Sequence, residues 1–319
     1  MHIQIVGLHA PNAPRLRSLL GPEHEVEALQ AFPETGLIRS DVVISNSIGA
    51  EEAARLRCRL VHVPGAGWEQ IACDALPSGT TVCNVHGHEV PIAEFVLHAV
   101  LEHGLRLWQY PARLDADAWA AAYADRPQHD EAQGKTLGIV GFGHIGQEIA
   151  RRARAFGMHV VAITRSGKPG PADLAHEYVA ASALDEVLPR IQMLALCCPL
   201  DDRTRGLIGA RQLSLLPRGA LLVNVARAEV VDEEALYKAL LGRQLGRAVL
   251  DVWYQYPKKG QAPVTPSRFP LHEMPNVRAT PHISALTPAL LERRYAFMAQ
   301  NILRLQQGQL LLNVIHQAP

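Results

Sequence analysis

One hexapeptide constrains this chain more than any other feature. Gly141-Phe142-Gly143-His144-Ile145-Gly146 sits between an apolar run, Thr136-Leu137-Gly138-Ile139-Val140, and an amphipathic stretch over residues 147–156. A strand that ends on a glycine and turns straight into a helix is the opening of a βαβ unit. The first glycine permits the tight turn, the second lets backbone approach a pyrophosphate, and the third lets the helix pack close to the strand. The unpaired N–H groups and the positive dipole end of such a helix favour phosphate. Gly141, Gly143, His144, Ile145 and Gly146 are therefore candidate dinucleotide contacts.

The surrounding pattern agrees with that reading. HVVAIT, MLALCC, ALLVNVA and AVLDVW follow the hexapeptide, each apolar enough for a parallel strand buried on both faces. An earlier series of short β-type runs occupies residues 3–7, 41–45, 60–63 and 81–85, each closed by Gly, Asn or Pro. Strands that alternate with helical material pair in parallel through crossovers. The expectation is an α/β fold with two Rossmann-like or flavodoxin-like domains. A helical pattern starts at Pro91, a connection falls at 125–128, and a last helix over 288–307 precedes a run at 311–314. Residues 256–275 hold five prolines and no periodicity, which reads as a long loop with Lys258, Lys259 and Gly260 at its tip.

Composition narrows the function classes. A length of 319 residues is about two domains' worth, and a 48 % hydrophobic fraction supplies the cores. The 31 basic side chains cancel the 31 acidic ones, which argues against nucleic acid and against a polybasic membrane surface. The most apolar stretch, 95–108, is broken by His98, Glu102, His103 and Arg106, short of the roughly 20 residues a membrane span needs. The N-terminus lacks the charge and apolar length of a signal peptide, so a cytoplasmic protein is expected. Cys58, Cys73, Cys83, Cys197 and Cys198 lack metal spacing and read as reduced thiols. His88, Glu89, Glu94, His98, Glu102 and His103 form a His/Glu-rich segment without an H-E-x-x-H motif, so no metal is expected.

The end of the strand after the hexapeptide usually carries an acidic residue that holds the ribose 2′-hydroxyl of NAD. Here the position is Thr164, followed by Arg165, Ser166 and Lys168, with no carboxylate. Hydroxyls and a guanidinium can bond a 2′-phosphate that a carboxylate would repel. NADP is the expected cofactor, with NAD as the alternative if Arg165 stacks on adenine.

GFGHIG, CCPLDDRTRGLI, LLVNVARAEVVDEEAL, LDVW and ATPHIS occur in that order, and together they resemble the D-2-hydroxyacid dehydrogenase family. The resemblance covers the second domain throughout and the first more loosely. It implies a nucleotide domain over 105–285 inserted into a substrate domain made of 1–104 and 286–319. It further implies an active site in the interdomain cleft and a homodimer. The catalytic arginine falls on Arg227 and the acid/base on His282. A guanidinium suits the carboxylate of a 2-oxo acid because it grips planar anions bidentately and keeps its charge. An imidazole suits proton transfer to the carbonyl oxygen because its pKa lies near working pH.

By the same resemblance Asp251 and Ser284 belong to the cofactor site, Asp251 at the nicotinamide carboxamide. Cys198, Pro199 and Thr204 fall at the adenosine half, and Val225 and Ala226 at the nicotinamide half. Gly65, Ala66 and Gly67 fall where the family presents backbone amides to the substrate carboxylate, and Trp68 either walls that pocket or packs in a core. Two positions depart: His88, where many relatives have asparagine, and the family's glutamate, partner of the catalytic histidine, which is Tyr256 here. A phenol can orient an imidazole but adds no negative charge, so His282 is expected to titrate closer to its reference value. Formate dehydrogenases of the superfamily carry asparagine where this chain has His88, which argues against formate. The expected reaction is hydride exchange with a small 2-oxo or 2-hydroxy acid. The alternatives are a formate- or phosphite-type dehydrogenase, or a catalytically weak nucleotide-sensing protein.

Overall fold

The computed structural model describes residues 1–110, 113, 115–126, 128–170, 174–257 and 262–318. The chain divides into two compact units, Met1–Gly87 with Leu286–Pro319, and His88–Ala285. Lys258, Lys259 and Gly260, read above as a loop tip, lie outside the described residues.

In the first unit six strands form one sheet, in the spatial order Val314–Gln317, Thr81–Cys83, Leu60–His62, Val42–Ile44, His2–Val6, Glu25–Leu29. All neighbours are parallel except Val314–Gln317, which runs antiparallel to Thr81–Cys83. Alternate residues of each strand serve opposite faces. Ile3, Ile5, Val42 and Ile44 meet Leu16 and the helix Pro288–Gln306 through Tyr295, Met298 and Ile302. Val6, Val43, Val61 and Val82 meet Ile38, Leu56 and Ile71 on the other face. The last helix starts where Thr287 caps it, its Oγ1 accepting from Leu290 N at 3.1 Å, with Pro288 at the first helical position. The expected run at 311–314 forms its strand later, because Leu312 is bonded to Asn301 and Asn313 turns the backbone at φ +51° before pairing begins.

The second unit is a seven-stranded sheet, entirely parallel, in the order Glu177–Ala180, His159–Thr164, Thr136–Val140, Met193–Leu196, Ala220–Asn224, Leu245–Leu250, Val277–Ala279. Counted along the chain this is 3-2-1-4-5-6-7, the doubly wound order whose direction reverses between Thr136–Val140 and Met193–Leu196. Ligands of such sheets bind beyond the strand ends at that reversal. Gly141 and Cys197 stand there.

The division differs from the sequence expectation at its first crossing, which falls at Gly87 and not at residue 104. The helix Glu89–Leu105 belongs with the nucleotide-type sheet. Its Ile92, Val96 and Val100 share a core with Leu137, Ile139, Ile149 and Ala153. An apolar helix face declares that it is buried, not against which sheet. The helix Ala116–Asp125, just ahead of the expected connection at 125–128, was also missed; Asp115 caps it by accepting from Ala118 N at 2.8 Å. Three missed strands, Glu25–Leu29, Glu177–Ala180 and Val277–Ala279, are outer strands with mixed burial, where the apolar signal is weakest. Among the described residues no helix is long and apolar enough to cross a membrane.

Candidate active site

The glycine turn has the geometry that the sequence demands. Gly141 adopts φ +93°, and a Cβ there would lie 2.7 Å from the Cys198 backbone. A side chain at Gly146 would collide with the Gly141 carbonyl, whereas Gly143 faces open space within 4 Å. Gly143 is the N-cap of the helix His144–Ala155 and provides no side-chain cap. The result is an open backbone cradle at a helix N-terminus, which fits a pyrophosphate. Cys197 closes the turn from beneath, its Sγ donating to Gly141 O at 3.0 Å. Burial pushes that thiol far above its usual range, and all five cysteines are free.

Beside the cradle, Gly141 N donates to Ile163 O at 2.9 Å, which sets the end of His159–Thr164 against it. The chain then turns sharply. Thr164 Oγ1 accepts from Gly167 N at 3.0 Å, and Ser166 Oγ accepts from Lys168 N at 3.4 Å. Gly167 has φ +68°, and a Cβ there would stand 2.8 Å from Ala180 N. Arg165, Ser166 and Lys168 are exposed on this turn. The loop carrying Pro199 and Thr204 closes on itself: Thr204 Oγ1 accepts from Asp201 N and donates to Pro199 O, both at 2.7 Å. Asp201 Oδ1 accepts from Arg203 N and Thr204 N. Thr204 therefore holds the loop's shape first of all, and Asp201, which the sequence reading did not single out, is its brace.

At the other strand ends a second cluster forms. Asn224 is buried, donates from Nδ2 to Arg227 O at 3.0 Å and accepts at Oδ1 from Ala226 N at 3.0 Å. It fixes the bend at Val225 and Ala226, both buried, and leaves the Arg227 side chain exposed. Asp251 is 0 % exposed. Its Oδ1 accepts from Thr280 Oγ1 at 2.7 Å and Ile283 N at 2.8 Å, and its Oδ2 accepts from Ser284 N at 2.9 Å. The carboxylate expected at a carboxamide is here the post around which the histidine turn winds. Ser284 is buried by the same contact.

His282 rides on that turn at φ +60°, a left-handed conformation that non-glycine residues seldom adopt. Strain of this kind persists only where surroundings over-determine it, as the three bonds to Asp251 do. Trp253 adds a fourth tie, its Nε1 donating to Thr280 O at 2.8 Å. The Tyr256 hydroxyl lies 3.0 Å from His282 Nδ1 and accepts from Trp253 N at 3.1 Å. Neighbouring backbone holds the tyrosine in turn, since Tyr254 N and Gln255 N both donate to Pro266 O. Farther along that loop, Ser267 Oγ and Arg268 Nε donate to Glu233 at the start of the helix Glu233–Leu241. A cavity of about 560 Å³, with Trp253, Tyr256, Val264, Pro266 and His282 in its lining, opens beside the pair.

Partial burial lowers the His282 pKa below its ordinary 6.5, the Arg227 charge pushes the same way, and Asp251 opposes both. The expectation of a value near the reference is corrected downward, because a phenol returns nothing against lost hydration. Burial also raises the Tyr256 pKa, so the phenol stays neutral.

Gly65, Ala66, Gly67 and Trp68 belong to the first unit, in the loop after Leu60–His62. Val85 N donates to Gly65 O at 3.1 Å and Asn84 Nδ2 to Ala66 O at 2.8 Å, which ties the loop by its carbonyls. Trp68 is 41 % exposed, against core packing within its unit. Of the His/Glu-rich helix, Glu102 pairs with Arg247 at 3.0 Å. Among the described residues no group of three or more His, Cys, Asp or Glu side chains is arranged to hold a metal.

The 3-2-1-4-5-6-7 sheet with an open glycine cradle at its reversal point makes the second unit a dinucleotide-binding domain of the Rossmann class. Residues 97–284 match the profile described as D-isomer specific 2-hydroxyacid dehydrogenase, NAD binding domain. The chain belongs to that family of NAD(P)-dependent oxidoreductases. It is 36 % identical to a glyoxylate reductase of Thermococcus kodakarensis, over 92 % of this chain and 80 % of that one. It is 30 % identical to a D-3-phosphoglycerate dehydrogenase of Methanocaldococcus jannaschii, over 88 % of this chain, and spans about half (51 %) of that longer relative. A holo D-mandelate dehydrogenase of Rhodotorula graminis shares the fold, with a TM-score of 0.79 at 22 % identity over 100 % of this chain and 98 % of that one.

Proposed function

We propose that this protein is a reductase of small 2-oxo acids that prefers NADP, with Arg227 as carboxylate anchor and His282 as proton donor. The observation that carries the reading is the His282–Tyr256 contact at 3.0 Å on a turn wound about buried Asp251, with Arg227 close enough to bias the imidazole. The bound nicotinamide dinucleotide supplies the hydride, or takes it up in the reverse direction. Arg227 grips the substrate carboxylate and fixes which face of the carbonyl is presented. Gly65, Ala66 and Gly67 offer further backbone amides for the same carboxylate. As the carbonyl becomes an alkoxide, His282 gives its Nε2 proton to the oxygen and returns to neutral imidazole.

Tyr256 serves both charge states of that imidazole. Its oxygen already accepts from Trp253 N, and a phenol oxygen has a second lone pair and one proton. The lone pair receives Nδ1–H of the imidazolium, and after proton transfer the hydroxyl turns to donate to bare Nδ1. Cofactor choice follows from the turn at Thr164, where Arg165, Ser166 and Lys168 form a cationic, hydroxyl-bearing edge suited to a 2′-phosphate. Gly141, Gly143 and Gly146 supply the pyrophosphate cradle, with His144 and Ile145 in the first helical turn. Cys198, Pro199 and Thr204 shape the adenosine side, and Val225, Ala226 and Ser284 the nicotinamide side. A cytoplasmic homodimer completes the reading.

The test is nicotinamide absorbance with NADPH and NADH against glyoxylate, hydroxypyruvate and larger 2-oxo acids, with formate and phosphite run from the oxidised cofactors. Reduction of at least one small 2-oxo acid is expected, with NADPH favoured by about tenfold or more, the worth of one charge-assisted contact. Turnover of formate or phosphite alone overturns the substrate assignment. Tight cofactor binding without turnover of any acid moves the protein to the sensing class.

A further inference from the structure

A second cavity, of about 210 Å³, opens at the other edge of the same parallel sheet. Lys135, Gln192 and Gly219 in its lining directly precede or flank the starts of Thr136–Val140, Met193–Leu196 and Ala220–Asn224. The glycine cradle and the bend at Arg227 lie at the far ends of those strands. At about 3.3 Å per residue, the two sites are roughly 15 Å apart. Nothing in the proposed reaction uses this cavity.

Its chemistry is one-sided. Arg106, Lys135 and Arg218 line it against a single carboxylate, Asp130, which holds Lys135 Nζ at 2.8 Å. Two positive charges are left over. Among the described residues neither Arg106 nor Arg218 lies within ion-pair distance of a carboxylate. Two neutral groups add polarity. Gln192 Oε1 accepts from Thr136 N at 2.7 Å, which fixes the amide and leaves its Nε2–H groups to donate. His103 is held neutral, its pKa lowered to about 4 by burial first and by Arg106 and Arg247 next, while its ring bonds the Gly219 backbone. The helix Glu89–Leu105 ends here, and its carbonyl end attracts cations, but a helix terminus amounts to about half a charge. It does not neutralise two.

We propose that this cavity binds a small dianionic oxyanion, inorganic phosphate or a phosphate monoester, at a site separate from the dinucleotide. A guanidinium can grip such an anion bidentately, and Arg106, Arg218, the shared lysine and the fixed amide line one cavity as its donors. The assignment does not depend on the 2-oxo acid activity, because it is read as binding.

The experiment is calorimetric titration of the full chain, saturated with NADP⁺, with inorganic phosphate and separately with glycerol 3-phosphate, at ionic strength held constant with chloride. One anion per chain is expected. Arg106→Gly, which suits the left-handed φ of +53° at that position, combined with Arg218→Ala should weaken binding by about tenfold or more. Arg165→Ala should leave it unchanged. Arg218→Glu, a reversal at an exposed side chain, should weaken it as well and guards against a folding defect in the double variant. Tighter binding of glycerol 3-phosphate marks an ester as the occupant; equal or tighter binding of phosphate marks the free anion. Undiminished affinity in the double variant, loss only in Arg165→Ala, or no binding at millimolar phosphate overturns the proposal.

Discussion

Two histidines, one in each unit, have neutral hydrogen-bond partners and are pushed downward by burial, yet their surroundings permit opposite behaviour. His62 is 0 % exposed, and its pKa is lowered to about 4. Its Nε2 faces Asn301 Nδ2 at 3.1 Å, and the amide cannot turn over, because Asn301 also donates to Leu312 O and accepts from Leu312 N. An amide N–H can only donate, so Nε2 must stay bare and the ring must stay neutral. His282 instead faces a phenol, which donates or accepts by rotating one proton. A fixed donor locks a protonation state; a rotor admits both. The difference between a core imidazole and an acid/base lies less in the histidine than in the partner's freedom.

The largest break in that comparison is His282→Asn. Loss of the proton donor should lower kcat for reduction by about 10²- to 10⁴-fold while the melting temperature barely moves, since the side chain is only partly buried and asparagine tolerates the left-handed backbone there. The opposite pattern is expected at the core site. Asn301→Ala strands His62 Nε2 and both Leu312 backbone groups, at a cost of about 3 kcal/mol in denaturant unfolding, with kcat per folded molecule unchanged. Should Asn301→Ala slow turnover as much as it destabilises, the two histidines are not separable as drawn. A smaller effect is expected from Tyr256→Phe, which removes the rotor and keeps the ring. Reduction should fall by about tenfold, and more than oxidation, because the imidazolium loses the acceptor for Nδ1–H.

One side of this contrast, His282 with Tyr256, was legible in the sequence; His62 with Asn301 was not, and the illegible part has a physical reason. Gly141, Gly143 and Gly146 are readable because backbone that turns and packs so tightly admits no other residue. Tyr256 was readable as the histidine's partner through its spacing from the family motif, and the structure brings the two together. Asp251 was assigned to the cofactor, but spacing cannot reveal that three donors from 280–284 converge on its carboxylate. Trp253 went unnoticed because its part is played by a backbone N–H, which every residue except proline has. Asn224 and Asp201 escaped for a related cause: each acts on backbone two or three residues away, and such bonds depend on a side-chain direction that no periodicity encodes. The helix Glu89–Leu105 was found but placed with the wrong sheet, since burial of a face does not name its partner.

The central claim is that His282 titrates low because partial burial, helped by the Arg227 charge, is not offset by its neutral partner Tyr256. The direct measurement is log kcat/KM for 2-oxo acid reduction against pH, in the native protein and in Tyr256→Glu. A lowered pKa means the proton is lost early, so the native profile should fall with unit slope above a break below 6.5. A carboxylate at position 256 favours the imidazolium and should move the break upward by about 1 to 2 pH units. A native profile that stays flat from about pH 6 to 9, or a break that Tyr256→Glu leaves in place, contradicts the account.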